Sequence, residues 1–222
     1  MSVGDVVYIF PELREEVIID RPNRFTVLTG SGACHLHDPG RLLDLVYPGN
    51  KVLIRDWRGE KTNCRIAAAW SSDSGEWVVI DSGIHSIIAS HFLPGKLQRE
   101  VKIGHHRLDF LWGSTYVEVK GCTLTINGKA LFPDAPTRRG TNHMKLLKEL
   151  KEEGVEGLVM FLVMRRAKCF APNWGMDPAF SAALRDAINA GVSIWVKSFR
   201  LSGRSIIYTG DLELCNDWAS ST

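Results

Sequence analysis

No stretch of this chain approaches the roughly 20 apolar residues that a membrane-spanning helix needs, so no such helix is expected. The opening Met1-Ser2-Val3-Gly4-Asp5 lacks the charged-then-apolar layout of a secretory leader, and a cytoplasmic location is the expectation. Cysteine is scarce and scattered. Cys34, Cys64, Cys122, Cys169 and Cys215 form no C-x-x-C pair, which argues against a zinc knuckle or a disulfide framework. Buried free thiols are expected instead. No charge of one sign dominates either, since 27 Lys and Arg face 25 Asp and Glu for a net charge of +2. A nucleic-acid partner would have to be met by basic residues concentrated in one place. No internal repeat, low-complexity tract or helix-turn-helix signal is present.

What is present is a chain of 222 residues, 45% apolar and 23% charged, with the composition of an ordinary globular protein. The first eighty or so residues read as short strands parted by turn signals. These strands cover residues 6–10, 16–20, 25–28, 34–37, 51–56, 64–70 and 77–80, the pattern of a small barrel with the OB type as a plausible form. One short helix is expected between them, with Asp38 as N-cap, Pro39 as first helical residue, and Leu42, Leu43, Leu45 and Val46 as its apolar face. After Asp81-Ser82-Gly83 the pattern changes. Ile84, Ile87, Ile88 and Phe92 have helical spacing, two hairpins follow, and a second helix is expected over 142–152. The apolar run 158–164 reads as a strand buried on both faces. Asp177-Pro178 opens a third helix, ended at Gly191. The fold class is therefore mixed α/β, with an OB-like domain over 1–82 and an α/β domain over 83–222.

The chemistry sits in the segment from Arg107 to Lys120. With Gly113-Ser114 as a two-residue type II′ turn, Trp112 pairs with Thr115, and counting outward sets Asp109 opposite Glu118. Side chains so opposed have Cβ atoms about 5 Å apart. Alternation keeps Lys120 on the face of Glu118. Two facing carboxylates repel unless a cation intervenes. Lys120 and Arg107 would do as plain ion-pair partners, leaving a solvated strand face. A hard cation, Mg²⁺ or Mn²⁺, held by Asp109 and Glu118 would do so with catalytic purpose, Lys120 orienting or deprotonating a water. Asn127-Gly128 marks a type I′ hairpin extending the same sheet. The segment Thr137-Arg138-Arg139-Gly140, beside a helix start, could hold a phosphate or be a solvated loop. His35 and His37 share a strand face but lack further zinc ligands at standard spacing. Trp57, between Arg55 and Arg58, suits base stacking or ordinary packing equally.

Taken together, these residues resemble the sugar fermentation stimulation protein A (SfsA) family. The likeness is carried by Arg21-Pro22-Asn23-Arg24-Phe25, His37 with Gly40-Arg41-Leu42, Pro48-Gly49, Glu100, Gly104, and Arg107 with Asp109-Phe110. It continues through Val117-Glu118-Val119-Lys120, Thr123-Leu124, Phe132-Pro133-Asp134-Ala135, Thr137, Arg139-Gly140 and His143. The resemblance implies an N-terminal OB-like domain, a C-terminal domain of the PD-(D/E)XK nuclease type, DNA binding, and a link to regulation of sugar-utilisation genes. Carried over by position, Asp109, Glu118 and Lys120 are the nuclease-type motif and Glu100 a fourth acidic member. Arg21, Arg24, His37, Arg41, Arg107, Thr137, Arg139 and His143 are the expected nucleic-acid contacts. The chain departs from the family pattern at Asp38-Pro39, Ser86, His106, Gly121 and Leu146, Gly121 standing where a serine is usual. DNA is the expected partner, RNA a weaker one, and a second copy of the chain is left open. A regulator that binds DNA without cutting it is the alternative to a nuclease.

Overall fold

The computed structural model describes residues 1–38 and 40–220. Residues 14–80 form a seven-stranded sheet. Its strands are β2 (Arg14–Val17), β3 (Asp20–Asn23), β4 (Thr26–Thr29), β5 (Gly32–His35), β6 (Lys51–Asp56), β7 (Cys64–Ser71) and β8 (Glu76–Val79). The path runs β2-β6-β7-β5-β4-β3, with β8 also paired to β7. Its two end strands are consecutive in sequence. Ile18 donates its N–H to Asn50 and Ile19 donates to Leu28, so the segment 14–23 bonds to both edges and closes the sheet on itself. Closure of this kind removes exposed edges.

The first strand departs from expectation. β1 (Val6–Ile9) does not join this barrel but pairs antiparallel with β17 (Ser205–Asp211) at the far end of the chain. Local alternation marks a strand without naming its partner. The expected helix after Asp38 is also absent. Pro39 lies outside the described residues, Leu42 adopts a positive φ of 49°, and its N–H is taken by Asp134 Oδ2 at 3.1 Å. A residue in the left-handed region cannot continue a right-handed helix. Residues 42–46 make a turn instead, burying Leu42, Leu45 and Val46 while Leu43 is 70% exposed.

The second half is built on another seven-stranded sheet, order β1-β17-β16-β14-β11-β10-β9. Its remaining strands are β9 (Leu97–Ile103), β10 (His106–Trp112), β11 (Thr115–Cys122), β14 (Glu156–Val163) and β16 (Ser193–Ser202). β14 lies parallel to both β11 and β16. Alternate β14 side chains enter two cores. Val159, Phe161 and Val163 pack with Met144 and Leu147 of α2 (Arg138–Glu152) and with Phe180 and Leu184 of α3 (Pro178–Asn189). Leu158, Met160 and Leu162 face the other way, into a core shared with Ile84 and Ile88 at α1 (His85–Ser90) and with Ile66, Val78 and Val79 of the barrel. One apolar core thus runs through both halves.

Asn127 and Gly128 both have positive φ, as a type I′ turn requires, and join β12 (Leu124–Ile126) to β13 (Lys129–Phe132). Contrary to expectation, this hairpin does not extend the large sheet; it forms a separate three-stranded sheet with β15 (Cys169–Pro172). The cysteines differ from expectation as well. Cys34 bonds Cys64 and Cys169 bonds Cys215, across sequence separations of 30 and 46. Cys34 and Cys64 are neighbours only because β5 and β7 pair, which no spacing rule can detect. Cys122 is the one free thiol, buried, and burial pushes it up to about 12.

Candidate functional site

A two-residue turn positions the site. Gly113 has φ 58° and Ser114 does not share a positive φ, the signature of type II′. β10 and β11 then pair as Trp112↔Thr115, Leu111↔Tyr116 and Phe110↔Val117. The pairing ends just before the two carboxylates. There Asp109 Oδ2 accepts the N–H of Val119 at 2.7 Å, substituting for a ladder bond where the strands part. On the other side of β10, the register Leu108↔Val101 and Phe110↔Arg99 places Asp109 opposite Glu100.

Glu118 is only 3% exposed, and its Oε1 accepts from His143 Nδ1 at 2.6 Å and from Lys120 Nζ. Its Oε2 is buried with no hydrogen-bond partner among the described residues. Burial alone would raise the Glu118 carboxyl, but Lys120 and His143 outweigh it and hold the group below its ordinary range. Burial, then the Glu118 charge, push Asp109 up to about 6, outweighing the Val119 N–H and the Lys120 charge. The pair therefore meets in one place, one carboxylate firmly charged and its neighbour taking up a proton as pH falls through about 6.

Both carboxylates line a cleft of about 540 Å³ between the two halves of the molecule. Lys120, Thr137, Arg139, Arg24 and His37 line it too. The loop expected before α2 is in fact its first turn, since the helix begins at Arg138 and not near 142. Thr137 caps it, accepting from Gly140 at 3.1 Å, and Asp177 Oδ2 takes the Thr137 N–H at 2.8 Å. The start lies earlier than the expected 142 because the first helical turn is polar and carries no apolar periodicity.

The other expected residues fall elsewhere. Glu100 is exposed and paired with Arg107 at 3.6 Å, and neither lines the cleft. Arg21 donates to the carbonyls of Arg41, Arg24 and Val46, bracing the 41–46 turn, while Arg41 is exposed away from the cleft. His143, expected to contact nucleic acid, is 2% exposed and serves Glu118. His37 Nδ1 lies 3.0 Å from Ser82 Oγ.

Three cleft residues were not expected in the site. Asp38 and Asp134 crowd Gly40, where a Cβ would stand 2.5 Å from Asp134 Oδ2 and 2.8 Å from Asp38 Oδ1. Burial pushes Asp38 up to about 6, the nearby Asp134 charge adding to this and the Gly40 N–H opposing it. His85 sits against Gly121. Asp38 had been read as a helix cap, and nothing local set His85 apart from its apolar neighbours. In all, Arg24, Lys120 and Arg139 face four carboxylates: Asp38, Asp109, Glu118 and Asp134. Among the described residues, no three His, Cys, Asp or Glu side chains converge to hold a metal ion by themselves.

Two matches fit this architecture. Residues 19–80 match the SfsA N-terminal OB domain, and residues 79–205 match the sugar fermentation stimulation protein RE domain. The chain belongs to the SfsA family. It is 50% identical over 215 residues to a sugar fermentation stimulation protein homolog of Sulfolobus acidocaldarius, covering 96% of this chain and 95% of that protein. A homolog from Sulfurisphaera tokodaii is 51% identical over 214 residues, covering 95% and 94%. The structure of Pyrococcus furiosus SfsA in complex with Ca²⁺ has the same fold, with a TM-score of 0.86 at 24% identity over 96% of this chain and all of that one. Among the described residues no helix is long and apolar enough to cross a membrane.

Proposed function

We propose that the cleft binds DNA and that Asp109, Glu118 and Lys120 form a PD-(D/E)XK-type site for metal-dependent hydrolysis of a phosphodiester. One observation carries the reading: a buried, charged Glu118 has one oxygen fixed by Lys120 and His143 and the other unpartnered, beside a second carboxylate in the same cleft. An unpaired buried carboxylate oxygen is costly, and a hard cation is the ligand that best relieves it. The surplus of carboxylates over cationic groups in the cleft points the same way, because a polyanion would otherwise be repelled.

Asp109 and Glu118 would hold Mg²⁺ or Mn²⁺, with waters and phosphate oxygens completing the shell. Two carboxylates are an ordinary protein share for Mg²⁺. Such an ion supplies charge to the phosphate and lowers the pKa of water. The Ca²⁺ in the Pyrococcus furiosus relative is a hard cation of the same preference and supports the assignment. His143 holds the Glu118 carboxylate in place. Lys120 is positioned to orient a water, and Arg24 and Arg139 to meet flanking phosphates.

The test is incubation of plasmid and single-stranded DNA with Mg²⁺ or Mn²⁺. Wild type should cut, and Asp109→Ala should lose at least about a hundredfold in rate, the scale of one removed electrostatic group. Equal cutting by both would remove these residues from the chemistry. Tight binding with no metal-dependent cutting would assign the cleft to recognition alone, as in a regulator.

A further inference from the structure

Asp109, Glu118, Lys120 and His143 all have tasks in that chemistry; His85 has none, although it lines the same cleft. Its ring is seated on Gly121, the residue after Lys120. A Cβ at position 121 would lie 2.1 Å from His85 Cε1 and 2.9 Å from Nε2. The ring and a side chain at 121 therefore exclude each other. Gly121 is not in the left-handed region, so backbone conformation gives no reason for glycine there. The ring does.

The second observation concerns hydrogen bonding. His85 Nε2 is buried and has no partner among the described residues. Leaving such an atom unpaired is costly, and the fold keeps it in the lining of the cleft nonetheless. Burial pulls the imidazole down to about 4, against the raising effect of Asp81 and with a small lowering from His37. The ring is neutral near pH 7, with one N–H to donate.

We propose that His85 is a phosphate-binding residue of the cleft, whose imidazole donates a hydrogen bond to a phosphodiester bound there, and that Gly121 is present to admit the ring. The proposal rests on the nucleic-acid reading of the cleft. A neutral donor suits the place: it recognises a phosphate oxygen without repelling a cation at Asp109 and Glu118.

The probe is thymidine 3′,5′-bisphosphate in Ca²⁺, titrated by calorimetry into wild type, His85→Ala, His85→Gln and Gly121→Ser. The imidazole resonance of His85 is followed in parallel in ¹⁵N-histidine-labelled wild type. Loss of one such bond should weaken binding about tenfold in His85→Ala. His85→Gln keeps a donor and should lose less, while Gly121→Ser displaces the ring and should match His85→Ala. The wild-type resonance should shift on binding. An unchanged Kd in His85→Ala, binding that leaves the His85 resonance unmoved, or no binding to wild type would each overturn the proposal. The resonance needs no variant, so a misfolded mutant cannot obscure the result. Failure of the nuclease reading shows separately, as absence of metal-dependent cutting by a wild type that still binds the probe through His85.

Discussion

At the scale of single residues, the cleft sacrifices stability for a site. Asp38 and Asp109 are both pushed up to about 6, chiefly by burial. A carboxyl raised in the folded state binds more protons there than in the unfolded chain. Its stabilising contribution is complete below the unfolded value near 4 and is lost as pH climbs through about 6. For the buried Asp38, a shift of about two units corresponds to about 3 kcal/mol. Asp38→Asn keeps an acceptor for the Gly40 N–H and removes the charge. It should be more stable than wild type by about 1–3 kcal/mol at pH 8 and should lose that advantage at pH 4. Urea unfolding at the two pH values measures this, and an equal difference at both would contradict the assignment. The lone Glu118, Asp109 and Lys120 were readable from spacing because a two-residue turn dictates which residues oppose. His143 and His85 were not, since each reaches the site from an element whose docking has no local signature.

At the scale of elements, turns were read well and pairings less so. Gly113 and Asn127-Gly128 have positive φ where the hairpins need it, and Asp177 caps α3 as its sequence suggested, accepting from Phe180 at 2.9 Å. These are contests decided within a few residues. The bridges Cys34–Cys64 and Cys169–Cys215 belong to the opposite case. The first ties β5 to β7, and the second fastens the C-terminal segment to β15, where Phe170 bridges Leu214. Thiol titration in denaturant without reductant should find one free thiol per chain, that of Cys122, and five after reduction. Reduction should lower stability by about 2–4 kcal/mol per bridge, read as a fall in Tm. Five reactive thiols before reduction would show that neither bridge forms.

At the scale of the whole molecule, the two halves are locked together by a shared core and one buried charge. Arg165 is 1% exposed and donates to Asp44 Oδ2 at 2.6 Å, Ser71 Oγ at 2.6 Å and the Thr123 carbonyl. The first two partners belong to the first half of the chain and the third to the second, close to the cleft wall. Arg165→Met should cost about 3 kcal/mol, the low end for breaking a buried pair, because Asp44 can rehydrate. It should also weaken binding of thymidine 3′,5′-bisphosphate through Thr123, although Arg165 itself does not line the cleft. Urea unfolding of wild type should be a single transition; two separate transitions would contradict a continuous core.

Periodicity, turn chemistry and capping were legible in the linear chain because each is a local free-energy preference. They were enough for the α/β class, most of the barrel strands, the buried run of β14 and the hairpin that carries Asp109 and Glu118 into one cleft. Partners 25 residues apart, such as Glu118 and His143, or 94 apart, such as Ser71 and Arg165, answer to no local preference. The strand that closes the sheet beside β17, the cysteine pairing, the ring seated on Gly121 and the cleft itself came into being only when distant segments packed. Their energies exist only between surfaces that the folded chain brings together.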